Sequence, residues 1–195
     1  MKYEFVNYPE YFIFDDWYNK EELRVIWEDL DDVYYNNKLL SNNETGGAIK
    51  NGKFLVNCKR THILPPRITD ISKQCFPHLS WMFSKIARES WFWSNVMHNV
   101  RNDVIMLSYY ENEDYYDSHT DGAEVTMLTW FFKEPKKFIG GDLTLTDFNQ
   151  TIECMNNRLV VIPSCLKHEV SPIHMEEEYR NQHYGRYCLT NFLIK

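Results

Sequence analysis

The sequence predicts a mainly β fold with supporting α-helices, and three observations lead to this prediction. From residue 102 onward, short apolar runs alternate with turn residues, a pattern typical of β-sandwiches and barrels. Helical spacing of apolar residues occurs in the first 100 residues. Hydrophobic residues make up 44% of the chain and aromatic residues 16%, which predicts a densely packed core. Among β architectures, these many short strands favour a jelly roll.

The first predicted helix follows an apolar run at residues 11–14. Asp15 and Asp16 come directly after this run, and their side chains suit the N-terminal cap of a helix. The helix itself is predicted near residues 19–35. The apolar residues that define its buried face are Leu23, Ile26, Trp27 and Leu30.

The remaining elements follow from turn signals and apolar runs. Residues 41–52 have the composition of a loop or hairpin. A second helical region is predicted from about Thr69 to Trp93, with an interruption at Pro77. The C-terminal half is predicted to form strands at 104–110, 114–119, 125–132, 142–147, 158–162, 167–171 and 186–194.

Length and composition restrict the kind of protein. Residues 1–195 are expected to form one domain, with 1–100 as helical support and 101–195 as the β core. The N-terminus does not have the pattern of a signal peptide, and no apolar run of about 18 residues occurs, so a soluble cytoplasmic protein is expected. Five cysteines without a C-x-x-C pair argue against a zinc ribbon or a complete disulfide framework. The net charge of −7 disfavours a nucleic-acid partner, and the oligomeric state stays open.

A histidine and an aspartate two positions apart form the first candidate site. His119 and Asp121 lie at the end of a predicted strand, where side chains two positions apart project from the same face. Taken alone, this pair is more simply interpreted as two polar residues at the end of a surface strand. His168 begins another predicted strand, and the strands between return the chain to the same region. Two imidazoles and one carboxylate are the ligand set typical of non-heme Fe(II) oxygenases.

An arginine at the start of the last predicted strand is the second candidate. Arg186 precedes the apolar run 187–194 and would supply a permanent cation for a co-substrate carboxylate. Arg180 competes with it, because Arg180 lies 12 positions after His168 whereas Arg186 lies 18 positions after it. Residues 173–184, which include Arg180, have the polar composition of an inserted loop that would cover a substrate. Arg186 begins an apolar strand instead, so it is the preferred candidate.

Residues 109–121, 138–143, 168–172 and 185–190 together resemble the Fe(II)/2-oxoglutarate-dependent dioxygenases, and among them the prolyl-4-hydroxylase-like group. The resemblance implies a double-stranded β-helix (jelly roll) packed by N-terminal helices. It also implies hydroxylation of a carbon centre by O2, coupled to decarboxylation of 2-oxoglutarate to succinate and CO2. Ascorbate is a candidate reductant. The implied substrate is a peptidyl proline, a free amino acid or another small molecule.

The resemblance also assigns roles to the candidate residues. His119, Asp121 and His168 would bind Fe(II), and Arg186 would pair with the distal carboxylate of 2-oxoglutarate. Residues 1–100 would add a substrate-side hairpin to the jelly-roll catalytic core. Specificity would then lie in loops such as 41–60 and 173–184, whose composition does not name a ligand.

Three further residues are candidates near the co-substrate. The resemblance implies that Tyr109 contacts 2-oxoglutarate and that Tyr116 lines the substrate pocket. Thr190 lies four positions after Arg186, so its hydroxyl would face the same side of the strand. The alternative for both tyrosines is a place in the core, since aromatic strand residues are usually buried there.

Two other classes of function remain open. A nucleic-acid-modifying dioxygenase is one, although the acidic charge counts against it. A non-catalytic, cupin-like jelly roll that binds a metal or ligand is the other, but such a barrel has no need of the cation of Arg186. The remaining histidines are expected to be solvated or to lack a suitable carboxylate partner: His62, His78, His98, His174 and His183.

Overall fold

The computed structural model describes residues 2–61, 64–74, 88 and 90–195. Short 3-10 turns span Thr146–Phe148 and Glu177–Tyr179. None of the helices in the described part of the chain is long and apolar enough to cross a membrane. The helices are α1 (Lys20–Tyr35), α2 (Asn42–Thr45), α3 (Pro66–Gln74) and α4 (Trp91–Asn99).

Strands make up most of the remaining described chain, which confirms the mainly β fold with supporting helices. Each strand predicted after residue 102 is found, with small shifts at its ends. In chain order, the strands are β1 (Lys2–Asn7), β2 (Glu10–Asp15), β3 (Ile49–Lys50), β4 (Lys53–Phe54), β5 (Val56–Asn57), β6 (Lys59–Thr61), β7 (Asn102–Tyr110), β8 (Tyr115–His119), β9 (Val125–Phe131), β10 (Phe138–Ile139), β11 (Leu143–Leu145), β12 (Gln150–Ile152), β13 (Leu159–Pro163), β14 (His168–Val170), β15 (His174–Met175) and β16 (Arg186–Ile194).

Two antiparallel sheets contain most of these strands. The large sheet has the order β1-β2-β13-β9-β16-β7-β6, and the small sheet has the order β12-β11-β14-β8-β5. Strand β16, which is interior to the sheet, pairs with β7 on one side and with β9 on the other. Two short ribbons, β3–β4 and β10–β15, complete the pairing of the described strands.

One face of the large sheet packs against the helices. Side chains alternate between the two faces of a strand, so every second residue of the central strands points to the helix side. Helix α1 covers this face with Ile26, Leu30 and Val33, each fully buried. The sheet residues in the same cluster are Phe12, Phe14, Leu107, Tyr109, Val125, Met127, Phe131, Leu159, Val161, Tyr187, Leu189 and Leu193.

The other face of the large sheet packs against the small sheet. Leu143 and Leu145 of β11 form one cluster with Leu128 and Trp130 of β9 and with Cys188 of β16. The described elements therefore form three layers, with helices on one side, the large sheet in the middle and the small sheet on the other side. Because both faces of the large sheet are covered, its strands β9 and β16 are buried over most of their length and carry apolar side chains on both faces.

Local sequence signals explain where α1 begins. Asn19 is its N-cap: its side chain accepts hydrogen bonds from the backbone N–H groups of Glu21 and Glu22, and the Glu22 carboxylate accepts one from the Asn19 N–H. The prediction that Asp15 and Asp16 cap this helix is therefore wrong. Asp15 ends β2, where it forms an ion pair with Arg158.

Two other predicted segments have a more detailed structure. The loop or hairpin predicted at 41–52 contains the one-turn helix α2 and the β3–β4 hairpin, whose turn residues Asn51 and Gly52 have φ of 52° and 77°. The helical region predicted from about Thr69 to Trp93 overlaps α3 and α4. Pro77 and the histidines at 62 and 78 lie outside the described residues.

Candidate active site

Two neighbouring strands of the small sheet bring the three candidate metal ligands together. Strand β8 ends at His119 and β14 begins at His168, and the antiparallel register places these residues opposite each other. Asp121 follows in the turn after β8, where its backbone N–H donates to the Ser164 carbonyl oxygen at 3.1 Å. Its two carboxylate oxygens lie 3.5 Å from His119 Nε2 and 3.4 Å from His168 Nε2. One possible ligand atom from each residue lies within 4.8 Å of the others.

Backbone carbonyl groups fix the orientation of both imidazoles. The Nδ1 atoms of His119 and His168 lie 2.8 Å from the carbonyl oxygens of Asp117 and Leu166, respectively. A carbonyl oxygen can only accept a hydrogen bond, so each Nδ1 carries the proton. Each Nε2 therefore presents its lone pair to the space beside Asp121, which is the tautomer that metal-binding histidines adopt.

Two hydroxyl groups hold the carboxylate of Asp121. The Thr126 hydroxyl donates to Asp121 Oδ2 at 2.6 Å, and it lies 2.8 Å from the Ser164 hydroxyl. Both hydroxyl-bearing residues are fully buried. This contact occupies Oδ2 and leaves Oδ1 for a metal ion. Sequence reasoning did not find Thr126 or Ser164, because a single hydroxyl in an apolar strand carries no distinctive pattern.

The charges of the cluster suit a divalent metal. Burial by itself would raise the pKa of Asp121, but the adjacent imidazoles of His119 and His168 and the Thr126 hydroxyl outweigh it and lower that pKa. Burial lowers the pKa of His168, although Asp121 opposes this shift. An ionised carboxylate beside neutral imidazoles is the donor set that a first-row divalent metal requires.

Arg186 lies at the first position of β16, and its side chain is fully buried. Its Nη1 donates to the Gly141 carbonyl oxygen at 2.7 Å, whereas Nε and Nη2 have no hydrogen-bond partner among the described residues. The guanidinium carbon lies 4.3 Å from the centroid of the Tyr110 ring and 5.8 Å from that of the Trp130 ring. The cation thus stacks on aromatic rings with one edge free.

The guanidinium of Arg186 has no carboxylate partner. Burial by itself would lower the pKa of Arg186, but the neighbouring Cys154, Cys188 and Tyr110 raise it, so the side chain stays charged. Within residues 2–61, 64–74, 88 and 90–195, no carboxylate forms an ion pair with it. A buried charge is unfavourable unless it is paired, so this arrangement indicates an anionic ligand.

A two-glycine turn supplies the carbonyl group that Arg186 binds. Gly140 and Gly141 have φ of 79° and 73°, in the left-handed region that favours glycine. A Cβ atom at Gly140 would also lie 2.1 Å from the Pro172 carbonyl oxygen, so no larger residue fits there. The Gly-Gly sequence is therefore needed to bring the Gly141 carbonyl group to the guanidinium.

A narrow cavity between the two sheets joins the ligand cluster to Arg186. Tyr116 and Thr190 line it, and the Tyr116 ring stacks on His119 with 3.7 Å between centroids. Tyr110 lines it as well. The open volume is about 30 Å3, room for about one water molecule, so a five-carbon diacid requires the lining side chains to move apart.

Tyr109 does not lie in this cavity, which corrects its predicted contact with the co-substrate. Its ring belongs to the cluster on the helix side of the large sheet, and its hydroxyl donates to Glu111. The adjacent Tyr110 occupies the cavity side, because neighbouring residues of a strand point to opposite faces. Alternation predicts that only one of the two tyrosines reaches the cavity, but not which one.

The segment between His168 and Arg186 is more ordered than the predicted polar loop. Strand β15 pairs with β10, and Arg180 is exposed, with its Nε and Nη2 donating to the Met175 carbonyl oxygen at 3.0 Å. Arg180 is therefore directed away from the cavity. His174 is exposed, as expected, but the prediction of a solvated His183 is wrong. His183 is 1% exposed and stacks on Tyr34 with 4.0 Å between ring centroids.

Comparison with known proteins identifies the fold. No protein-family model and no curated protein matches the chain. A prolyl 4-hydroxylase from Pseudomonas putida aligns with a TM-score of 0.63 and 14% identity, over 95% of this chain and 92% of that one. A prolyl hydroxylase from Trichoplax adhaerens, bound to a peptide fragment of hypoxia inducible factor, aligns with a TM-score of 0.65 and 15% identity, over 94% and 83%.

A third structure extends the likeness beyond prolyl hydroxylases. An oxidoreductase of the 2OG-Fe(II) oxygenase family from Burkholderia pseudomallei aligns with a TM-score of 0.57 and 13% identity, over 92% of this chain and 82% of that one. The resemblance to Fe(II)/2-oxoglutarate-dependent dioxygenases, and among them to the prolyl-4-hydroxylase-like group, is thus confirmed at the level of the fold.

Proposed function

We propose that this chain is an Fe(II)- and 2-oxoglutarate-dependent oxygenase that hydroxylates a carbon centre, of the prolyl-4-hydroxylase-like kind. The observation that carries the proposal is a single cavity that contains both the His119, Asp121 and His168 cluster and the unpaired guanidinium of Arg186. The proposal includes a double-stranded β-helix (jelly roll) for the two facing sheets. It treats residues 1–195 as one domain with its catalytic core in 101–195.

Three side chains would hold the iron. The Nε2 atoms of His119 and His168 and Oδ1 of Asp121 are free of other described hydrogen-bond partners and converge on one point. Two imidazoles and one carboxylate leave further coordination positions for a co-substrate and O2. With Fe(II) and 2-oxoglutarate bound, O2 would be the oxidant: one oxygen atom would enter the substrate carbon and the other would enter succinate as CO2 is lost, and ascorbate would keep the iron reduced.

Arg186 would bind the distal carboxylate of 2-oxoglutarate. Its Nε and Nη2 form one edge of the guanidinium, and this edge can donate two parallel hydrogen bonds to a carboxylate. Thr190 lies on the same face of β16 and would add a hydroxyl contact. A metal-binding barrel without turnover has no use for such a cation, so this feature favours an oxygenase over a cupin-like binding protein.

A surface groove that shares strand β8 with the cavity supports a peptide or amino-acid-like substrate. The groove has a volume of about 760 Å3, and the β3–β4 hairpin and strands β5 and β8 line it. Strand β8 also carries Tyr116 and His119 of the candidate site, so the groove and the cavity share this strand. The peptide bound to the similar Trichoplax adhaerens protein supports the same class of substrate for this chain.

An anaerobic titration with Fe(II) and then 2-oxoglutarate tests the proposal. The visible metal-to-ligand charge-transfer band should form with the wild type, be lost in His119→Ala, and need much higher 2-oxoglutarate in Arg186→Ala. Arg180→Ala is the matched control, because Arg180 is an exposed arginine of the same segment, and it should behave as the wild type.

Each failure of this titration has a distinct meaning. Iron binding without the band would favour a metal-binding jelly roll. No iron binding would contradict the assignment of His119, Asp121 and His168. Loss of the band in Arg180→Ala, with retention in Arg186→Ala, would transfer the anion-binding role to Arg180.

A further inference from the structure

The strand start that carries Arg186 is held from the opposite face of the large sheet. The backbone N–H of Gly185 donates to the Tyr109 hydroxyl oxygen at 3.0 Å, and the Tyr109 hydroxyl donates to Glu111 Oε2 at 3.0 Å. Because Gly185 directly precedes Arg186, the Tyr109 hydroxyl reaches the peptide unit from which the buried guanidinium extends. Tyr109 thus contacts the backbone behind the cation without entering the cavity.

Close packing leaves this peptide little freedom to move. A Cβ atom at Gly185 would lie 2.3 Å from the Tyr110 carbonyl oxygen and 2.7 Å from the Tyr109 hydroxyl oxygen. Tyr109 itself is fully buried, and its ring lies 4.7 Å from the ring of Tyr187. The tyrosine is therefore a fixed support, and Gly185 is the residue that allows the chain to approach it.

A second set of contacts holds the same segment. The backbone N–H of His183 donates to the Tyr34 hydroxyl at 3.1 Å, and the two rings stack. His183 Nε2 lies 2.8 Å from the Tyr187 hydroxyl, which donates to the Leu30 carbonyl oxygen at 3.3 Å. Residues 183–185 are thus tied to α1 and β7, on the face of the sheet that points away from the cavity.

We propose that Tyr109 is a positioning residue for Arg186: its hydroxyl, held by Glu111, fixes the Gly185–Arg186 peptide and thereby aims the free edge of the guanidinium at a ligand carboxylate. This inference rests on the proposed function. Two parallel hydrogen bonds require close alignment, so a small rotation of the strand start would weaken them. The binding of a ketoacid without a distal carboxylate would not be affected by this rotation.

The substitution Tyr109→Phe removes only this hydroxyl. It leaves the Gly185 N–H without a partner, which should loosen the strand start. The test compares 2-oxoglutarate with 2-oxobutyrate, a ketoacid that lacks the distal carboxylate, in anaerobic Fe(II) titrations of each protein. We expect 2-oxoglutarate to bind about three- to tenfold more weakly to the variant, the effect of one lost hydrogen bond, and 2-oxobutyrate to bind as before.

Tyr18→Phe is the matched control. Tyr18 is a buried tyrosine of the same cluster and packs on Trp17 and Phe131. We expect the preference for 2-oxoglutarate over 2-oxobutyrate to stay unchanged in this variant. An unchanged preference in Tyr109→Phe, or an equal loss of affinity for both acids, would overturn the positioning role and leave the proposed function intact. A wild type that shows no preference between the acids would overturn the proposed function, and the positioning role with it.

A measurement on the ligand-free protein provides an independent readout. Amide hydrogen exchange at Gly185, followed by NMR, should become about three- to tenfold faster in Tyr109→Phe, since the N–H loses its acceptor. Tyr18→Phe should leave this rate unchanged. Unchanged exchange at Gly185 in Tyr109→Phe would show that the hydroxyl does not hold the peptide, and would overturn the inference without reference to iron or ketoacid.

Discussion

The two faces of the neighbouring strands β7 and β16 differ in whether their buried polar side chains have hydrogen-bond partners. On the helix side, the buried side chains of Tyr109, His183 and Tyr187 all have hydrogen-bond partners. On the cavity side, Arg186 keeps two N–H groups without a partner among the described residues. Buried polar groups are normally paired, so a paired network indicates support of the fold, whereas an unpaired one indicates a missing ligand.

The two faces also differ in the charge of their buried polar groups. His183 accepts a hydrogen bond from Lys133 at Nδ1 and lies beside Tyr187 at Nε2, so it is held as a neutral imidazole. Arg186 is a permanent cation with no anion beside it in the described chain. A neutral group can be satisfied by hydrogen bonds alone, but a buried cation needs an opposite charge. The cavity side is therefore incomplete without an anion.

The largest expected effect comes from Arg186→Met, which removes the cation and keeps a side chain of similar length. Loss of one partner of a buried ion pair corresponds to about 3–5 kcal/mol, so 2-oxoglutarate should bind about 150- to 5,000-fold more weakly. The free energy of unfolding of the ligand-free protein should not fall, because the wild-type cation has no anion to lose. Calorimetric titration and urea unfolding measure the two quantities. A fall of several kcal/mol in the free energy of unfolding would contradict the interpretation that Arg186 lacks a stabilising partner in the ligand-free protein.

Leu30→Ala tests the opposite side. Leu30 is fully buried in α1 against the large sheet, so truncation should lower the free energy of unfolding by about 2–5 kcal/mol. The preference of the folded protein for 2-oxoglutarate over 2-oxobutyrate should stay that of the wild type. Urea unfolding and the ketoacid titrations check both statements, and a changed preference would show that the helix layer also shapes the cavity.

The smallest expected effect concerns the pH dependence of His183. Burial, with the charge of Lys133, lowers the pKa of His183 to about 4, whereas the pKa of a histidine in an unfolded chain is about 6.5. Between these values the unfolded chain binds a proton that the folded protein does not bind. The stability that His183 contributes is therefore present above about pH 6.5 and is lost as the pH falls towards 4.

His183→Gln keeps a side-chain donor towards Tyr187 and removes this titration. The difference in unfolding free energy between wild type and variant should shrink as the pH falls from about 7 to about 4.5. Asp114, whose pKa burial raises to about 6, titrates in both proteins, so its effect cancels in the difference. A difference that stays constant with pH would show that His183 is not held in its neutral form.

The sequence by itself determined the parts of this protein that depend on local pattern. Alternation and turn residues predicted seven of the ten strands from β7 to β16, all except β10, β12 and β15, and they placed His119 at a strand end, whereas Asp121 lies in the turn that follows. The apolar run after Arg186 indicated a buried strand start, which the structure contains. These features follow from periodicity, which a chain carries whatever its surroundings.

Only the tertiary structure decided which face of each strand meets the cavity. Both faces of the large sheet are buried, so the apolar pattern of β7 does not distinguish Tyr109 from Tyr110. His183 likewise lies in a polar stretch of sequence, and its burial depends on Tyr34 of α1, 149 positions away along the chain. Contacts between distant segments set both outcomes, because the environment of a side chain is fixed by what packs against it rather than by its neighbours in sequence.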